Sequence, residues 1–178
     1  MGTGLSSLLI ANRGEVAIRI VRAAAEHGLR TVTVHSEDDA TALHTRKSDE
    51  TRALRGSGPA AYLDAEQIVA VARAAGCDAI HPGYGFLSES SAFARRCAAE
   101  GLVFVGPTPE ALDIFGDKTK TRALAQRSGV PVLAGTNGPT TLDEARVFLA
   151  AQGAGPGIML KAIAGGGRAR DAPRAQRG

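Results

Sequence analysis

The sequence predicts an α/β fold built on an open, doubly wound, parallel sheet. Three observations support this prediction: short apolar runs, stretches of helical apolar periodicity between them, and glycines that end those stretches. The first apolar run covers residues 8–11, and apolar side chains at roughly helical spacing follow over residues 16–25. Residues 31–35 come after Gly28 and are β-branched at nearly every position. These segments predict a strand, a helix and a second strand.

The same alternation continues along the chain as far as Pro107. Residues 64–75 carry apolar side chains at i, i+3, i+4 and i+7 and end at Gly76, which predicts a helix. The elements predicted after it are a strand over Ala79–His81, a helix over residues 92–100 and a strand over residues 102–105. Strands that alternate with helices at this spacing are typical of a doubly wound parallel sheet.

The pattern changes after Gly106, where we place a domain boundary. Beyond it the predicted elements are helices over Pro109–Phe115, residues 118–128 and Leu142–Ala151, and a strand over residues 157–162. The last segment, residues 168–178, has no periodicity and few large apolar side chains. That composition predicts disorder.

Composition and charge narrow the class of protein. The 178 residues include 21 Lys plus Arg against 18 Asp plus Glu, and aromatic residues make up only 4%. Without a basic stripe interleaved with aromatics, nucleic-acid binding is not expected. The chain has neither an apolar run long enough to span a membrane nor a signal-peptide pattern. Its 2 Cys and 4 His show no metal-ligand spacing, which predicts no structural metal. Two cysteines also form no disulfide framework, which predicts a reduced, cytoplasmic location.

A triple glycine is the first candidate for a binding site. Gly165, Gly166 and Gly167 follow a predicted strand that contains Lys161. Consecutive glycines let backbone N–H groups approach phosphate oxygens, and a lysine near the loop supplies a positive charge. The alternative is a flexible loop. The arrangement is not a Walker A loop, because the lysine precedes the glycines.

Two further motifs lie at predicted helix starts. Gly116-Asp117-Lys118 is rich in hydrogen-bond donors, and its alternative interpretation is an ordinary N-terminal turn. The decapeptide HPGYGFLSES, residues 81–90, lies where a strand ends and a helix begins. Open α/β sheets bind ligands at such places, although the glycines and Pro82 are also suited to shaping a turn.

One face of the first predicted helix carries charged residues. Arg19, Arg22 and Glu26 fall at i, i+3 and i+7 and therefore lie on one side. Such a stripe is either a solvated face or a self-complementary patch in a twofold dimer, where Arg of one copy meets Glu of the other.

Taken in order, these motifs resemble the amino-terminal half of biotin carboxylase. The resemblance rests on IANRGE at residues 10–15, the decapeptide, FVGP at 104–107, GDK at 116–118, and Lys161-Ala162 before the triple glycine. This family is the ATP-grasp component of biotin-dependent acyl-CoA and pyruvate carboxylases, also described as carbamoyl-phosphate synthase large-chain type. The resemblance covers residues 8–167.

The resemblance implies a division of the chain and an activity. It implies a Rossmann-like pre-ATP-grasp domain over residues 1–105, a helical linker over 106–132, and an incomplete ATP-grasp lid over 133–167, followed by the tail of residues 168–178. Family members use MgATP and bicarbonate to carboxylate biotin through a carboxyphosphate intermediate. The expected ligands are therefore ATP, bicarbonate and the biotin of a carrier domain.

By resemblance, five residues would contact ATP. Lys118 matches a lysine on an ATP phosphate, and Lys161 matches the lid lysine on the α- and β-phosphates. Gly165, Gly166 and Gly167 match the start of the flexible loop that closes over the triphosphate. The resemblance thus favours the phosphate-binding interpretation of both motifs.

The resemblance also assigns roles to residues nearer the amino terminus. Tyr84 and Gly85 match residues that line the biotin and bicarbonate pocket. Arg19, Arg22 and Glu26 match residues of the family's dimer interface, so a homodimer through the first helix is favoured over a solvated face.

The chain departs from the family pattern after Gly167. The family loop continues Gly-Arg-Gly-Met-Arg, whereas this chain reads Arg168-Ala169-Arg170. We therefore expect a truncated biotin carboxylase without catalytic residues of its own and inactive alone, and a frameshift is one hypothesis for the ending. The alternatives are half of another ATP-grasp ligase, of carbamoyl-phosphate synthase large-chain type, and a non-enzymatic dimerising module. The decapeptide and the GDK motif favour biotin carboxylase.

Overall fold

The structure of the protein, a computed structural model, describes residues 4–136, 138–152 and 157–160, with only the backbone of Lys118. Within these residues five strands form one sheet: β1 (Ser7–Ile10), β2 (Arg30–His35), β3 (Glu50–Ala53), β4 (Ala79–His81) and β5 (Val103–Phe104). The strand order is β3-β2-β1-β4-β5, and every pairing is parallel. The predicted α/β fold with an open parallel sheet is confirmed.

Six α-helices accompany the sheet along the described chain. They are α1 (Gly14–Glu26), α2 (Ala65–Ala74), α3 (Ser91–Ala99), α4 (Pro109–Phe115), α5 (Lys118–Arg127) and α6 (Leu142–Ala151). Short 3-10 helices lie between β2 and α2, among them Leu43–Arg46. The predicted helices are confirmed to within one or two residues at their ends.

The two faces of the sheet have separate apolar cores because side chains alternate along a strand. Leu8 and Ile10 of β1 pack with Val21 and Ala24 of α1 on one face. Leu9 lies in the other core, together with the buried faces of α2 and α3. Connections between parallel strands are right-handed. A helix therefore packs on one face where the chain moves from β1 towards β3, and on the other face where it moves back towards β5.

A carboxylate ties β1 to β4 at the amino ends of the two strands. Asp78 accepts hydrogen bonds from the backbone N–H of Ser6 at 2.8 Å and of Ser7 at 2.9 Å. It also accepts from the hydroxyls of both serines, at 2.7 and 2.9 Å. These donors, the Ser6 hydroxyl first, lower the pKa of Asp78 to about 2. The interaction is therefore present above pH 4 and is lost as the pH falls towards 2.

Strand β3 is absent from the sequence prediction. It pairs with β2 along one edge of the sheet, with Val32 opposite Glu50 and His35 opposite Ala53. Three of its four side chains are exposed, so it has none of the apolar alternation by which strands are recognised. Charged side chains on an edge strand also limit pairing with other chains.

The predicted strand over residues 157–162 is not found in its described part. Residues 157–160 have no strand conformation, and Met159 and Leu160 are exposed. A strand requires a partner for its backbone hydrogen bonds, and no described segment pairs with these residues. Residues 161 and 162 lie outside the described residues.

The chain divides into two compact units, one ending at Asp113 and the other beginning at Ile114. The first unit contains the sheet with α1, α2 and α3. In the second unit, α6 begins with a capping box in which Thr141 and Glu144 exchange hydrogen bonds. The predicted tail, residues 168–178, lies outside the described residues.

Candidate functional site

The strand order places one crevice in the sheet, between β1 and β4. The chain runs outwards from β1 through β2 to β3 and then returns to β4 and β5 on the other side. Connections therefore leave the carboxyl ends of β1 and β4 in opposite directions. Ligands of open α/β sheets bind at this point, which makes it the first place to look for a site.

Asn12 fills this crevice. Its side chain is buried, and its Nδ2 donates to the carbonyl oxygens of Pro82 at 2.7 Å and Tyr84 at 3.0 Å. Its Oδ1 accepts from the backbone N–H of Arg13 at 2.8 Å. The two bonds from Nδ2 hold the loop after β4 against the loop after β1, and the local bond from Arg13 fixes the orientation of the Asn12 side chain.

Gly83 makes this close approach possible. Its φ of +68° lies in the left-handed region. A Cβ at this position would lie 2.6 Å from Asn12 Nδ2 and 2.7 Å from Val16 Cγ1. Both distances are far below van der Waals contact, so the position requires glycine.

His81 ends β4 beside this loop. Its Nδ1 accepts a hydrogen bond from the backbone N–H of Gly83 at 3.0 Å, which requires an unprotonated Nδ1. Burial lowers the pKa of the imidazole. His81 therefore acts as a neutral residue that shapes the turn.

The two predicted pocket residues of the decapeptide lie on the exposed side of the same loop. The Tyr84 ring is exposed, and its hydroxyl donates to Glu15 Oε1 of α1 at 2.7 Å. This hydrogen bond raises the pKa of Tyr84. Gly85 follows, exposed, with a φ of +72° and nothing within 4 Å of the position that a Cβ would take. Both residues are thus accessible to a ligand, and the hydrogen bonds of Asn12 to Pro82 and Tyr84 fix the loop that carries them.

A second polar cluster, not found by sequence reasoning, lies at the carboxyl end of β2. Asp39 accepts from Arg13 Nη2 at 2.7 Å and from the Tyr62 hydroxyl at 2.8 Å. The buried Tyr62 hydroxyl also accepts from the backbone N–H of Ser36 at 3.2 Å. The Tyr62 ring stacks on Phe86 with centroids 5.1 Å apart. The cluster connects the IANRGE segment, the chain after β2 and the decapeptide. In the sequence, only the position of Asp39, shortly after a predicted strand, could have indicated this cluster.

The predicted dimer residues lie on the outer surface of α1. Arg19, Arg22 and Glu26 are all exposed. None of the three forms an ion pair with another described residue. The stripe is therefore accessible in this chain.

An open groove of about 840 Å³ runs along α1 on the face that this helix covers. Tyr84 and Gly83 line one end of the groove, beside Arg19. The walls are otherwise mainly aliphatic, from α1, β1 and the residue after β5.

The predicted phosphate-binding residues lie apart from this site in the sequence. Lys118 is the first residue of α5 in the second unit, and Asp117 caps that helix by accepting from Thr119 N at 2.8 Å and Lys120 N at 3.1 Å. Lys161, Gly165, Gly166 and Gly167 lie outside the described residues. Their assignment stays a prediction.

The part of the chain that the structure describes has neither a metal site nor a membrane span. Among residues 4–136, 138–152 and 157–160, no three Asp, Glu, His or Cys side chains converge on a point where a metal ion would bind. In the same part of the chain, every helix is too short or too polar to cross a bilayer.

The fold and site define a class of protein: a doubly wound α/β domain in which a buried asparagine joins the loops at the central crevice. Residues 4–112 match the family model for the biotin carboxylase N-terminal domain. The chain belongs to this family. The matched residues are almost the same as the first compact unit, residues 1–113.

Two curated relatives show the extent of the similarity. The chain is 53% identical over 167 residues to pyruvate carboxylase of Staphylococcus aureus, a match that covers 92% of this chain and 14% of that protein. It is 46% identical over 162 residues to biotin carboxylase of Halalkalibacterium halodurans, which covers 90% of this chain and 35% of the relative. The chain thus spans only a small part of these relatives.

Two solved structures are also similar. The biotin carboxylase domain of a single-chain bacterial carboxylase superposes with a TM-score of 0.81 at 57% identity, over 83% of this chain and 34% of that one. The biotin carboxylase domain dimer of Hydrogenobacter thermophilus 2-oxoglutarate carboxylase, in complex with MgADP, ADP and bicarbonate, gives 0.82 at 40% identity, over 92% and 36%. Both agree with the α/β architecture described above.

Proposed function

We propose that this chain supplies the amino-terminal part of a biotin carboxylase, the component that carboxylates biotin at the expense of ATP and with bicarbonate as the carbon source. The match of residues 4–112 to the N-terminal domain of this family is the observation that carries the proposal. The 46% identity to a biotin carboxylase supports this assignment over another ATP-grasp ligase of carbamoyl-phosphate synthase type.

The proposed division follows the family. Residues 1–105 would form the Rossmann-like pre-ATP-grasp domain, residues 106–132 the helical linker and residues 133–167 the beginning of the ATP-grasp lid. Helices α4 and α5 both lie within the proposed linker, and no described strand separates them. This is consistent with the division.

The proposed ligand contacts are divided between the two units. Lys118, together with Lys161 and the triple glycine, would contact the phosphates of ATP. Tyr84 and Gly85 would line the pocket for biotin and bicarbonate, a proposal supported by their exposure on a loop held by Asn12. The complex of a similar domain with MgADP and bicarbonate supports the same choice of ligands. We propose no catalytic residue in this chain, so the carboxylation would require residues beyond these 178.

A chimeric enzyme tests the proposed function. Residues 4–112 of this chain would replace the corresponding segment of the Halalkalibacterium halodurans biotin carboxylase. We expect the chimera to carboxylate biotin with a kcat/KM within about tenfold of the parent, because the replaced domain shapes the site without supplying its catalytic groups. The measurement is bicarbonate-dependent ADP release with free biotin.

The control in this experiment is the 178-residue chain alone, for which we expect no biotin-dependent ADP release. A chimera that is folded by circular dichroism and remains inactive would contradict the proposed function. Activity of the chain alone would contradict the proposed need for further residues.

We also propose that the chain dimerises through α1, with Arg19 and Arg22 of one copy facing Glu26 of the other. The exposure of all three side chains and their lack of ion pairs among the described residues support this contact. The similar 2-oxoglutarate carboxylase domain is a dimer.

Charge reversal tests the dimer. We expect Arg19→Glu with Arg22→Glu to shift the chain from dimer to monomer in sedimentation velocity, because like charges then face each other across the twofold axis. Adding Glu26→Arg restores opposite charges and is expected to restore the dimer. The control is Lys47→Glu with Arg55→Glu, which changes the net charge equally at exposed positions outside α1 and β3. Identical sedimentation of all four proteins would disprove the contact.

A further inference from the structure

One residue of the decapeptide has a strained backbone. Phe86 has a φ of +44°, and no other non-glycine residue in the described part of the chain has a positive φ. This left-handed region is unfavourable for a residue with a side chain, because its Cβ comes too close to the following carbonyl oxygen. Such strain persists only where the surrounding structure enforces it, and it is concentrated at functional sites. The conformation of Phe86 is therefore maintained by contacts elsewhere in the fold.

The turn that contains Phe86 directly follows the two residues proposed for the pocket. The backbone N–H of Ser88 donates to the carbonyl oxygen of Gly85 at 2.9 Å, which closes a tight turn. Tyr84 and Gly85 are exposed on one side of this turn, whereas Leu87 is buried. The backbone conformation of Phe86 therefore sets the direction in which the exposed part of the loop leaves the core.

The ring of Phe86 rests on a fixed support. It stacks on the ring of Tyr62 with centroids 5.1 Å apart and an interplanar angle of 28°. Tyr62 is fully buried, and its hydroxyl donates to Asp39 at 2.8 Å and accepts from the backbone N–H of Ser36 at 3.2 Å. The guanidinium of Arg13 pairs with the same carboxylate and lies 5.8 Å from the centre of the Tyr62 ring. Stacking on a ring that is held in this way fixes the side chain of Phe86.

Glycine would adopt the same backbone conformation without strain. The neighbouring positions show this, since Gly83 has a φ of +68° and Gly85 a φ of +72°. Glycine in place of Phe86 would, however, make no contact with Tyr62. The presence of a phenylalanine at the strained position indicates that the ring contact, rather than the ease of the turn, is required there.

We propose that Phe86 is a positioning residue for biotin: its stacking on Tyr62 holds Tyr84 and Gly85 where they line the pocket. Phe86 acts through the loop and is assigned no contact with the ligand. This inference rests on the proposed function, because the pocket belongs to that proposal, and it adds the buried cluster around Tyr62 to the support of the pocket.

Hydrogen exchange in the full chain tests the stack. Phe86→Leu keeps an aliphatic side chain against the core and removes the ring. We expect it to raise the exchange rate of the Ser88 amide at least about tenfold, because the turn that this N–H closes is no longer held. The matched control is Phe104→Leu, which removes the edge-to-face pair of Phe104 with Phe93, 5.9 Å apart, in the same core. It should change the Ser88 rate by less than about threefold.

Kinetics of the chimeric biotin carboxylase separate positioning from stability. We expect Phe86→Gly to raise the KM for biotin at least about tenfold and to leave the KM for ATP within about twofold, because the residues proposed to contact ATP lie outside the exchanged segment. A variant that only loses stability lowers the amount of active enzyme, and hence the apparent kcat, without changing either KM. Phe104→Leu should leave both KM values unchanged.

A double variant tests whether the two rings act as one unit. Tyr62→Leu removes the other half of the stack, so we expect it to raise the KM for biotin as Phe86→Leu does. The two substitutions together should raise it no more than either alone.

Three results would overturn the inference. An active chimera whose KM for biotin is unchanged by Phe86→Gly would show that the left-handed backbone is sufficient. Additive effects of Phe86→Leu and Tyr62→Leu would show that the rings act separately. Equal Ser88 exchange in Phe86→Leu and Phe104→Leu would show that the stack does not hold the turn. A chimera that is inactive before any of these substitutions contradicts the proposed function itself, whereas these three results contradict only the role of Phe86.

Discussion

Replacing Gly83 with alanine is expected to lower the free energy of unfolding of the first unit by about 3 kcal/mol. About 1 to 2 kcal/mol of this arises because a side chain is unfavourable at a φ of +68°. The remainder is the clash of the new Cβ with Asn12 Nδ2, 2.6 Å away, and Val16 Cγ1, 2.7 Å away. To relieve this clash, the loop after β4 has to move away from Asn12, and the hydrogen bonds from Asn12 to Pro82 and Tyr84 are then lost. Urea unfolding followed by circular dichroism measures the loss.

Gly85→Ala is the matched control for this prediction. Gly85 has a similar φ of +72°, but nothing lies within 4 Å of the position of its Cβ. Its substitution should therefore cost only the backbone term of about 1 to 2 kcal/mol. Equal losses for the two variants would show that the contact with Asn12 does not constrain the loop. Adding Asn12→Ala to Gly83→Ala should recover part of the steric loss, which measures the coupling directly.

Replacing Asp39 with alanine is expected to lower the free energy of unfolding by about 2 to 4 kcal/mol. The buried Tyr62 hydroxyl would lose the carboxylate to which it donates at 2.8 Å, and Arg13 would lose its partner at 2.7 Å. A buried donor left without an acceptor, and a charge left without its counter-charge, together account for a loss of this size. Asp38→Ala should have a smaller effect, because that neighbouring carboxylate is exposed and loses only a hydrogen bond from the backbone N–H of Gly58 at 2.7 Å.

The ionisation of Tyr62 provides an independent test of the same cluster. Burial first, and the hydrogen bond to Asp39 in addition, raise the pKa of Tyr62 to about 12. The chain has 2 Tyr and no Trp, so tyrosinate absorbance in a Tyr84→Phe background reports Tyr62 alone. Because the pKa is higher in the folded state, the stabilising contribution is complete below pH 10 and is lost as the pH rises towards 12. Asp39→Ala should lower this pKa, and an unchanged titration would contradict the proposed contact.

The elements of the first unit followed from local patterns. The apolar run of β1, the helical spacing in α1 and the β-branched residues of β2 each predicted one element, and the observed bounds agree closely. Strand β3 was missed because its exposed side chains carry no such pattern, and its conformation comes from pairing with β2. Residues 157–160 show the reverse case, since an apolar run without a described partner forms no strand.

The candidate site was predicted less completely. Tyr84 and Gly85 were found from the decapeptide, at the end of β4 where the structure has them. Asn12 was part of a quoted motif, but its function of holding the loop depends on the contact with Pro82, 70 positions away. The groove along α1 was not predicted at all, because its walls come from three different elements.

The sequence by itself determined the fold class, the family and the places where chemically distinctive residues occur. Periodicity is a local property of the chain, and the family motifs are contiguous strings, so both are visible without coordinates. The tertiary structure decided which of these residues meet. It placed Asn12 between the loops after β1 and β4, joined Asp39 to Arg13 and to Tyr62 across 26 and 23 positions, and left one face of the sheet partly uncovered. Such contacts depend on strand order and on the handedness of the connections, and these properties belong to the assembled sheet as a whole.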